Sequence, residues 1–171
     1  MTSSTTSRRG AHPKPPKQPK NCHERALGLL AVRPRARREL ERRLLAAGFD
    51  ADEVADVLVR LERVGLIDDE AFAKQMAEYQ FSSRRAGRRA VTSALLAKGI
   101  EPALAALAAD GAPDDEQQRA HDLAVARAGR LRGVEPAKAF ARLTSLLVRR
   151  GYGPDVARTA ARAALAIDEP D

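Results

Sequence analysis

Three similar segments divide the chain at nearly constant intervals. Leu44-Leu45-Ala46-Ala47-Gly48-Phe49 has a counterpart 51 positions later, Leu95-Leu96-Ala97-Lys98-Gly99-Ile100, and another 52 positions beyond that, Leu147-Val148-Arg149-Arg150-Gly151-Tyr152. An apolar pair, two small or basic residues, glycine and a large apolar residue together predict the end of a helix. We expect the pair to pack inward and the glycine to take the left-handed conformation that closes a helix. Three copies at this spacing indicate a repeat protein.

Between these segments, apolar positions at intervals of three and four predict nine helices in three sets of three. The expected inner faces are Leu27 and Leu30; Leu40, Leu44 and Leu45; Val54, Val57, Leu58, Leu61 and Val64; Phe72, Met76 and Tyr79; Val91, Leu95 and Leu96; Leu104 and Leu107; Phe140, Leu143, Leu147 and Val148; and Val156 with the alanines that follow it. Each set resembles a small three-helix unit of the helix-turn-helix kind.

Composition supports an all-α fold. Apolar residues make up 44% of the chain and aromatic residues only 4%, without a tryptophan, so the residues that favour helices dominate over those that favour strands. We expect an elongated tandem array with repeats at 23–65, 66–112 and 113–167, after a disordered, basic, proline-rich tail at 1–22 and before an acidic end at 168–171. Units of about 50 residues are marginal alone, so neighbouring repeats should support one another.

The net charge of +7 is unevenly distributed. Residues 1–22 carry five basic residues and no acid, which leaves 25 basic and 23 acidic residues for the rest of the chain. A basic tail suits an acidic partner such as nucleic acid, although a solvated leader without a partner is an equal alternative. Because Cys22 is the only cysteine, no internal disulfide is possible, and we expect a cytoplasmic protein without a secretory signal or membrane span.

The sequence shows no constellation typical of catalysis. His12, His23 and His121 lack metal-ligand spacing, and no glycine-rich phosphate loop is present. The adjacent acids Asp68 and Asp69 suit the first turn of a helix better than acid–base chemistry, since neighbouring helical side chains diverge by about 100°. We therefore expect neither an enzyme nor a bound cofactor or metal.

Clusters of arginine give the strongest indication of a binding surface. Arginine captures phosphate or carboxylate groups well, while a merely solvated helix face is the simpler alternative. The cluster at residues 84–89 has no acidic residue near it in the sequence, since none occurs between Glu78 and Glu101. The candidate partner-binding residues, in order of preference, are Arg84, Arg85, Arg88 and Arg89; Arg33, Arg35, Arg37 and Arg38; and Arg142, Arg149 and Arg150, with Lys138 beside the last group. Base-specific readout is not expected, because acids such as Asp50 and Glu101 begin the third helix of each unit.

Four segments in order resemble the family of RecX regulatory proteins. They are 33–40 with Leu44 and Gly48-Phe49, then Gly65-Leu66-Ile67-Asp68-Asp69-Glu70-Ala71-Phe72-Ala73, then 87–100, and finally Arg149-Arg150-Gly151-Tyr152. The similarity covers about residues 24–167. The chain departs from the family pattern at Ala36, where Ser or Thr is common, and near Met76, where an aromatic residue is common.

The resemblance implies a modulator of the RecA recombinase, built as an elongated array of three-helix repeats. Such a protein binds RecA and RecA–DNA filaments and inhibits filament growth, ATP hydrolysis, strand exchange and co-protease activity. We expect a monomeric, slightly basic rod that lies along the filament groove and bridges neighbouring protomers. A sequence-independent DNA-binding module with weak affinity, and a helical scaffold for an unrelated protein, remain as alternatives.

Overall fold

The computed structural model describes residues 21–112 and 115–165, and within them the secondary structure is entirely helical. The helices are α1 (Cys22–Val32), α2 (Arg37–Ala46), α3 (Ala51–Arg63), α4 (Asp69–Ser82), α5 (Arg88–Lys98), α6 (Pro102–Asp110), α7 (Glu116–Ala128), α8 (Pro136–Arg149) and α9 (Pro154–Leu165), with a 3₁₀ turn at Gly129–Leu131 after α7. This confirms the predicted all-α array of three tandem three-helix repeats. We call α1–α3, α4–α6 and α7–α9 the first, second and third repeats.

The first helix begins slightly earlier than predicted. Asn21 accepts a hydrogen bond from the backbone N–H of Glu24 at 2.8 Å and caps α1, so Cys22, expected in the tail, is a buried helical residue. The rest of the predicted tail, residues 1–20, lies outside the described residues, as do the end of the last predicted helix at 166–167 and the acidic end at 168–171.

Each repeat encloses its own apolar cluster. Leu40, Leu44, Leu58 and Leu61 are fully buried at the centre of the first repeat. The second and third repeats rely more on alanine, with Val91 and Leu95 or Leu143 and Leu147 among the larger residues. Alanine lets helices approach closely, so these short helices pack into separate small cores. One residue crosses between them, because Ala36 of the first repeat belongs to the core of the second.

The predicted inner faces need correction in several helices. In α1 the buried stripe is Cys22, Ala26 and Leu29, whereas Leu27 is exposed. In α3 four of the five predicted residues are buried, but Val64 is the C-cap and is exposed because the chain has already left the helical path.

Two further helices bury alanines where larger apolar residues were predicted to face the core. In α4 the buried residues are Ala73, Ala77 and Phe81, while Tyr79 is half exposed. In α6 Ala105 and Ala109 are buried and Leu107 is exposed. The larger apolar residues attracted the prediction, but the tight helix packing selected the small ones.

The predicted backbone conformation of the three repeated helix ends is confirmed, but only one residue of each apolar pair is buried. Gly48, Gly99 and Gly151 all have φ close to +90°, as a left-handed helix end requires. The first residue of each apolar pair (Leu44, Leu95, Leu147) is fully buried, but the second (Leu45, Leu96, Val148) is more than 40% exposed. Adjacent residues on a helix point about 100° apart, so only one of the two can face the core.

Candidate partner-binding surface

The second helix of the first repeat is capped by the second repeat. Ala36 is the N-cap of α2 and its side chain accepts no hydrogen bond. Instead, Asp69, the first residue of α4, accepts a hydrogen bond from the backbone N–H of Arg37 at 2.8 Å. A carboxylate at this position satisfies an otherwise unpaired donor and lies at the positive end of the α2 dipole. The second repeat therefore provides the cap that Ala36 lacks.

The next junction repeats this arrangement. Gly87 is the N-cap of α5 without a side-chain cap, and Glu116, the first residue of α7, accepts from the backbone N–H of Arg88 at 2.9 Å. In the third repeat the residue before the second helix provides the cap: Glu135 accepts from the backbone N–H groups of Ala137 and Lys138. The first and second repeats thus each depend on the following repeat for the start of their second helix.

Close backbone packing adds to the cap at the second junction. The N–H of Gly87 donates to the carbonyl of Arg150 at 2.8 Å, and the N–H of Arg89 donates to the carbonyl of Gly151 at 3.2 Å. A Cβ placed on Gly87 would lie 2.4 Å from the backbone of Gly151 and Tyr152, and one placed on Gly151 would lie 2.4 Å from Ala90. Both glycines are therefore required by packing as well as by conformation.

The buried carboxylate of Glu39 pairs with cations from both repeats at the first junction. Its Oε1 accepts from Arg33 at 2.5 Å and from Arg35 at 2.7 Å, and Nζ of Lys98 in the second repeat lies 3.4 Å from Oε2. Burial by itself would raise the pKa of Glu39. Hydrogen bonds from the two arginines, with the charges of Lys98 and Arg33, outweigh burial and lower that pKa from 4.5 to about 2.

Several arginines predicted to bind a partner are used inside the protein. Arg35 is only 7% exposed, and its Nε donates to the carbonyl of Leu29 at 3.1 Å, so its proposed surface role is wrong. Arg33 pairs with Glu39, and Nε of Arg37 lies 2.8 Å from Glu62. These three arginines therefore pair within the first repeat, with Glu39 close to them in the sequence and with Glu62 of α3.

At the second junction, Arg88 and Arg150 also have internal partners. Arg88 has no acid near it in the sequence between Glu78 and Glu101, yet in the structure Asp110 lies 3.4 Å and Glu116 4.0 Å from its guanidinium. These acids follow Glu101 in sequence but fold back onto the start of α5. The guanidinium of Arg150 donates to the carbonyl of Arg84 at 2.7 Å.

Four exposed arginines remain around the two junctions, and we call them the junction surface. Arg38 and Arg89 are each the second residue of their helix, in α2 and α5. Arg84 and Arg85 lie in the loop that precedes α5, and the Arg84 guanidinium stacks 5.9 Å from the Tyr79 ring centre. None of the ion pairs within the described residues includes these four arginines.

The loop carrying Arg84 and Arg85 is fixed against the third repeat. Arg85 has φ of +49°, which is unusual for a residue other than glycine. Its carbonyl accepts a hydrogen bond from the buried hydroxyl of Tyr152 at 3.1 Å. Burial raises the pKa of Tyr152, so the phenol stays a neutral donor. The third repeat therefore presents these two side chains to solvent in a defined position.

Three basic residues lie along one exposed face of α8. Lys138, Arg142 and Arg149 share this face with Ser145, and we call these four residues the α8 stripe. Arg142, Ser145 and Arg149 line a shallow depression of about 310 Å³ together with Ala141.

Groups suited to catalysis or metal binding do not converge in the described residues. No three of the histidine, cysteine, aspartate and glutamate residues there are arranged to hold a metal ion. Cys22 is fully buried, and burial raises the pKa of its thiol, so the reactive thiolate is disfavoured. A groove between α4 and α6 is lined by Phe81, Leu104 and Leu107 and is mainly apolar. None of the helices described is both long and apolar enough to cross a membrane.

These features define a class: a tandem three-helix-repeat protein whose repeats are joined by capping acids, with groups of exposed cations at the junctions and along α8. Three family models match the chain in order: the first three-helix domain of RecX at residues 22–61, the second at 68–108 and the third at 114–160. The chain belongs to the RecX family.

Relatives and solved structures agree with this assignment. The chain is 34% identical to the regulatory protein RecX of Streptomyces coelicolor over 94% of its length and 87% of the relative's. It is 41% identical to that of Mycolicibacterium smegmatis over 77% and 72% of the two lengths. The crystal structure of RecX from Lactobacillus salivarius superimposes with a TM-score of 0.77 at 21% identity, covering 85% of this chain and 96% of that one. This last similarity supports the fold.

Proposed function

We propose that this protein binds the RecA recombinase and RecA–DNA filaments and inhibits their recombinase, ATPase and co-protease activities. Its membership of a family of regulatory proteins supports a regulatory role. Such a role would place the protein in the cytoplasm as a monomer that modulates recombination and DNA repair. No catalytic step by the protein itself is part of the proposal.

The proposed contact site is inferred from the recurrence of an exposed arginine at both repeat junctions. Arg38 and Arg89 hold the same position in two successive repeats, 51 residues apart. A RecA filament is itself a repeating structure, so contacts that recur along one protein can engage successive protomers. Two or more weak contacts on a connected array then act together and give an affinity that neither has alone.

Arg84 and Arg85 strengthen the second junction as the main contact. Their loop is tied to the third repeat through Tyr152 and Arg150, so less conformational entropy is lost when a partner binds. Backbone strain such as that at Arg85 persists where surrounding structure imposes it and is often found at functional positions. Acidic groups on the filament are the chemistry that these guanidinium groups suit.

The proposal is tested by neutralising three junction arginines and measuring RecA inhibition. The junction triple variant carries Arg84→Gln, Arg85→Gln and Arg89→Gln, which leaves Arg88 and its pairs with Asp110 and Glu116 intact. ATP hydrolysis by RecA on single-stranded DNA would be titrated with wild type and variant, and co-pelleting with filaments followed in parallel. We expect at least tenfold more variant to be needed for half inhibition.

A remote triple variant removes the same charge elsewhere. Arg25, Arg130 and Arg132 are exposed, and no ion pair in the described part of the chain includes them. Their replacement by Gln should leave inhibition within about twofold of wild type. Full inhibition by a folded junction triple would contradict the contact assignment, and no effect of wild type on RecA would contradict the function itself.

A further inference from the structure

The α8 stripe places three basic side chains along a single helix face, in a segment that contains no acidic residue. The start of α5 is covered by Asp110 and Glu116, and α2 contains Glu39 and Glu41. By contrast, residues 136–150 include no acid, and Lys138, Arg142 and Arg149 take part in none of the ion pairs among the described residues. The nearest acid in sequence, Glu135, is engaged in capping α8.

The start of α8 differs from the starts of α2 and α5. In the two earlier repeats an acid of the following repeat, Asp69 or Glu116, accepts a hydrogen bond from the first backbone N–H of the second helix. In the third repeat Glu135, which directly precedes α8, accepts from the backbone N–H groups at the helix start instead. The side chains of Lys138, Arg142 and Arg149 are all exposed on this helix.

The geometry of the stripe fits a linear polyanion. Lys138, Arg142, Ser145 and Arg149 are spaced by four, three and four residues, which places them within an arc of roughly 60° on the helix. The stripe extends over about 16 Å, at about 1.5 Å per residue, so it is too long for one phosphate group to bridge. Along one strand of a duplex, the same length spans about five phosphates.

We infer that the α8 stripe binds the sugar–phosphate backbone of duplex nucleic acid, without sequence preference and without RecA. Guanidinium, ammonium and hydroxyl groups are the side-chain donors that commonly contact phosphates, and all three occur here. Ser145, a small residue of the stripe, and the adjacent Ala141 line a shallow depression with Arg142 and Arg149.

A protein partner fits this face less well. Interfaces between proteins usually depend on large apolar or aromatic anchors, and the stripe itself contains none. Aromatic side chains that would stack on the bases of a single strand are missing from it as well, so we expect duplex to bind at least as tightly as single strands. This inference concerns a different surface from the junction surface and does not rest on the proposed RecA contact.

The test measures binding to DNA as a function of salt, with the full chain and no RecA present. A short fluorescein-labelled duplex of mixed sequence would be titrated with wild type and with an α8 triple variant, Lys138→Gln, Arg142→Gln and Arg149→Gln. Fluorescence anisotropy at several NaCl concentrations gives the slope of log K against log salt. Three lost phosphate contacts should make the slope shallower by about 2–3 and weaken binding at least tenfold at low salt.

The junction triple and the remote triple serve as controls, since each removes three charges and all variants keep the basic residues 1–20. Both controls should retain the wild-type slope, and circular dichroism and thermal melting should show that the α8 triple is folded. A slope for the α8 triple within about 0.5 of wild type would overturn the inference, as would an equal decrease in the remote triple. Unchanged DNA binding combined with weaker RecA inhibition would overturn it too, and would assign the stripe to a protein contact.

Discussion

Glu39 is the residue on which the first junction depends most directly. It sits between Arg35, which is buried with it, and Lys98, which belongs to the next repeat. A buried ion pair contributes little compared with a well-packed apolar pair, but losing one partner leaves the other charge buried and unpaired. The same carboxylate therefore holds Arg35 in the first repeat and links that repeat to the second.

Replacing Glu39 by Gln should destabilise the protein by about 3 kcal/mol at pH 7, because the buried guanidinium of Arg35 loses its counter-charge. The pKa of Glu39 is lowered from 4.5 to about 2 on folding, so its contribution is complete above pH 4.5. The contribution then decreases as the pH falls toward 2, where the folded carboxylate takes up its proton. Urea unfolding of wild type and variant between pH 7 and pH 2 measures this difference.

Glu41 supplies the matched control on the same helix. It is partly exposed, and none of the ion pairs in the described residues includes it. Its replacement by Gln should change stability by no more than about 0.5 kcal/mol at any of these pH values. A Glu39→Gln effect that stayed constant from pH 7 to pH 2 would show that shape, rather than charge, accounts for the loss.

At the level of helices, the three repeated helix ends share a backbone conformation but differ in the residues that pack against them. A Cβ on Gly48 would meet no atom within 4 Å, one on Gly99 would lie 2.6 Å from Cβ of Arg38, and one on Gly151 would lie 2.4 Å from the backbone nitrogen of Ala90. The first end faces solvent because no repeat precedes it in the described chain. The other two ends receive the start of the preceding repeat's second helix.

Alanine substitution at these three positions should therefore separate conformational strain from packing. Gly48→Ala should cost about 1–2 kcal/mol from positive φ alone. Gly99→Ala adds a contact with Arg38, and Gly151→Ala adds a clash with backbone that cannot rotate away, which should cost a further 1–3 kcal/mol or so. Thermal and urea unfolding of the three variants should rank them in that order, whereas equal losses would mean that the junctions yield to the extra methyl group.

The sequence was sufficient to predict these helix ends because their cause is local. Glycine at a fixed distance after an apolar residue specifies a left-handed turn, and helical periodicity specifies which positions face inward to within about one residue. It did not show which member of Leu95-Leu96 is buried, or that Ala77 rather than Tyr79 faces the core. Those choices follow from how closely neighbouring helices approach, which depends on the whole repeat.

The candidate surface was less predictable for the same reason. Arg35 and Arg89 look alike in the sequence. Arg35 is buried, where it pairs with Glu39 and donates to the carbonyl of Leu29, whereas Arg89 is exposed. Asp69 and Glu116 were not recognised as caps of helices more than 27 residues before them in the chain. The one sequence signal available was the presence of Ala36 and Gly87, which have no side chain that can accept a hydrogen bond, where a capping side chain is expected.

For the whole molecule, the capping acids give the array a direction. The second repeat caps α2 and the third repeat caps α5, while α8 ends the series with its own Glu135. Each repeat has a separate core, so these junction contacts, with Ala36 and the Gly87–Gly151 packing, carry much of the coupling between repeats. In a linear array, cooperativity of unfolding depends on such nearest-neighbour terms.

Removing both capping acids from the junctions should therefore reduce cooperativity as well as stability. In the double variant Asp69→Ala and Glu116→Ala, the start of each dependent helix loses its cap, at about 1 kcal/mol per site. Because the repeats then open more independently, the urea transition followed by far-UV circular dichroism should broaden and its m-value should decrease.

A matched pair of caps within repeats distinguishes coupling from simple destabilisation. Asp50 accepts from the N–H of Asp52 at the start of α3, and Asp115 accepts from the N–H of Gln117 at the start of α7, so both caps act locally. Replacing both by Ala removes the same number of capping carboxylates and should lower the transition midpoint with the m-value nearly unchanged. If the junction variant also kept its m-value, the three repeats would have to be coupled mainly through apolar contacts such as Ala36, and the capping acids would stabilise helices without linking the repeats.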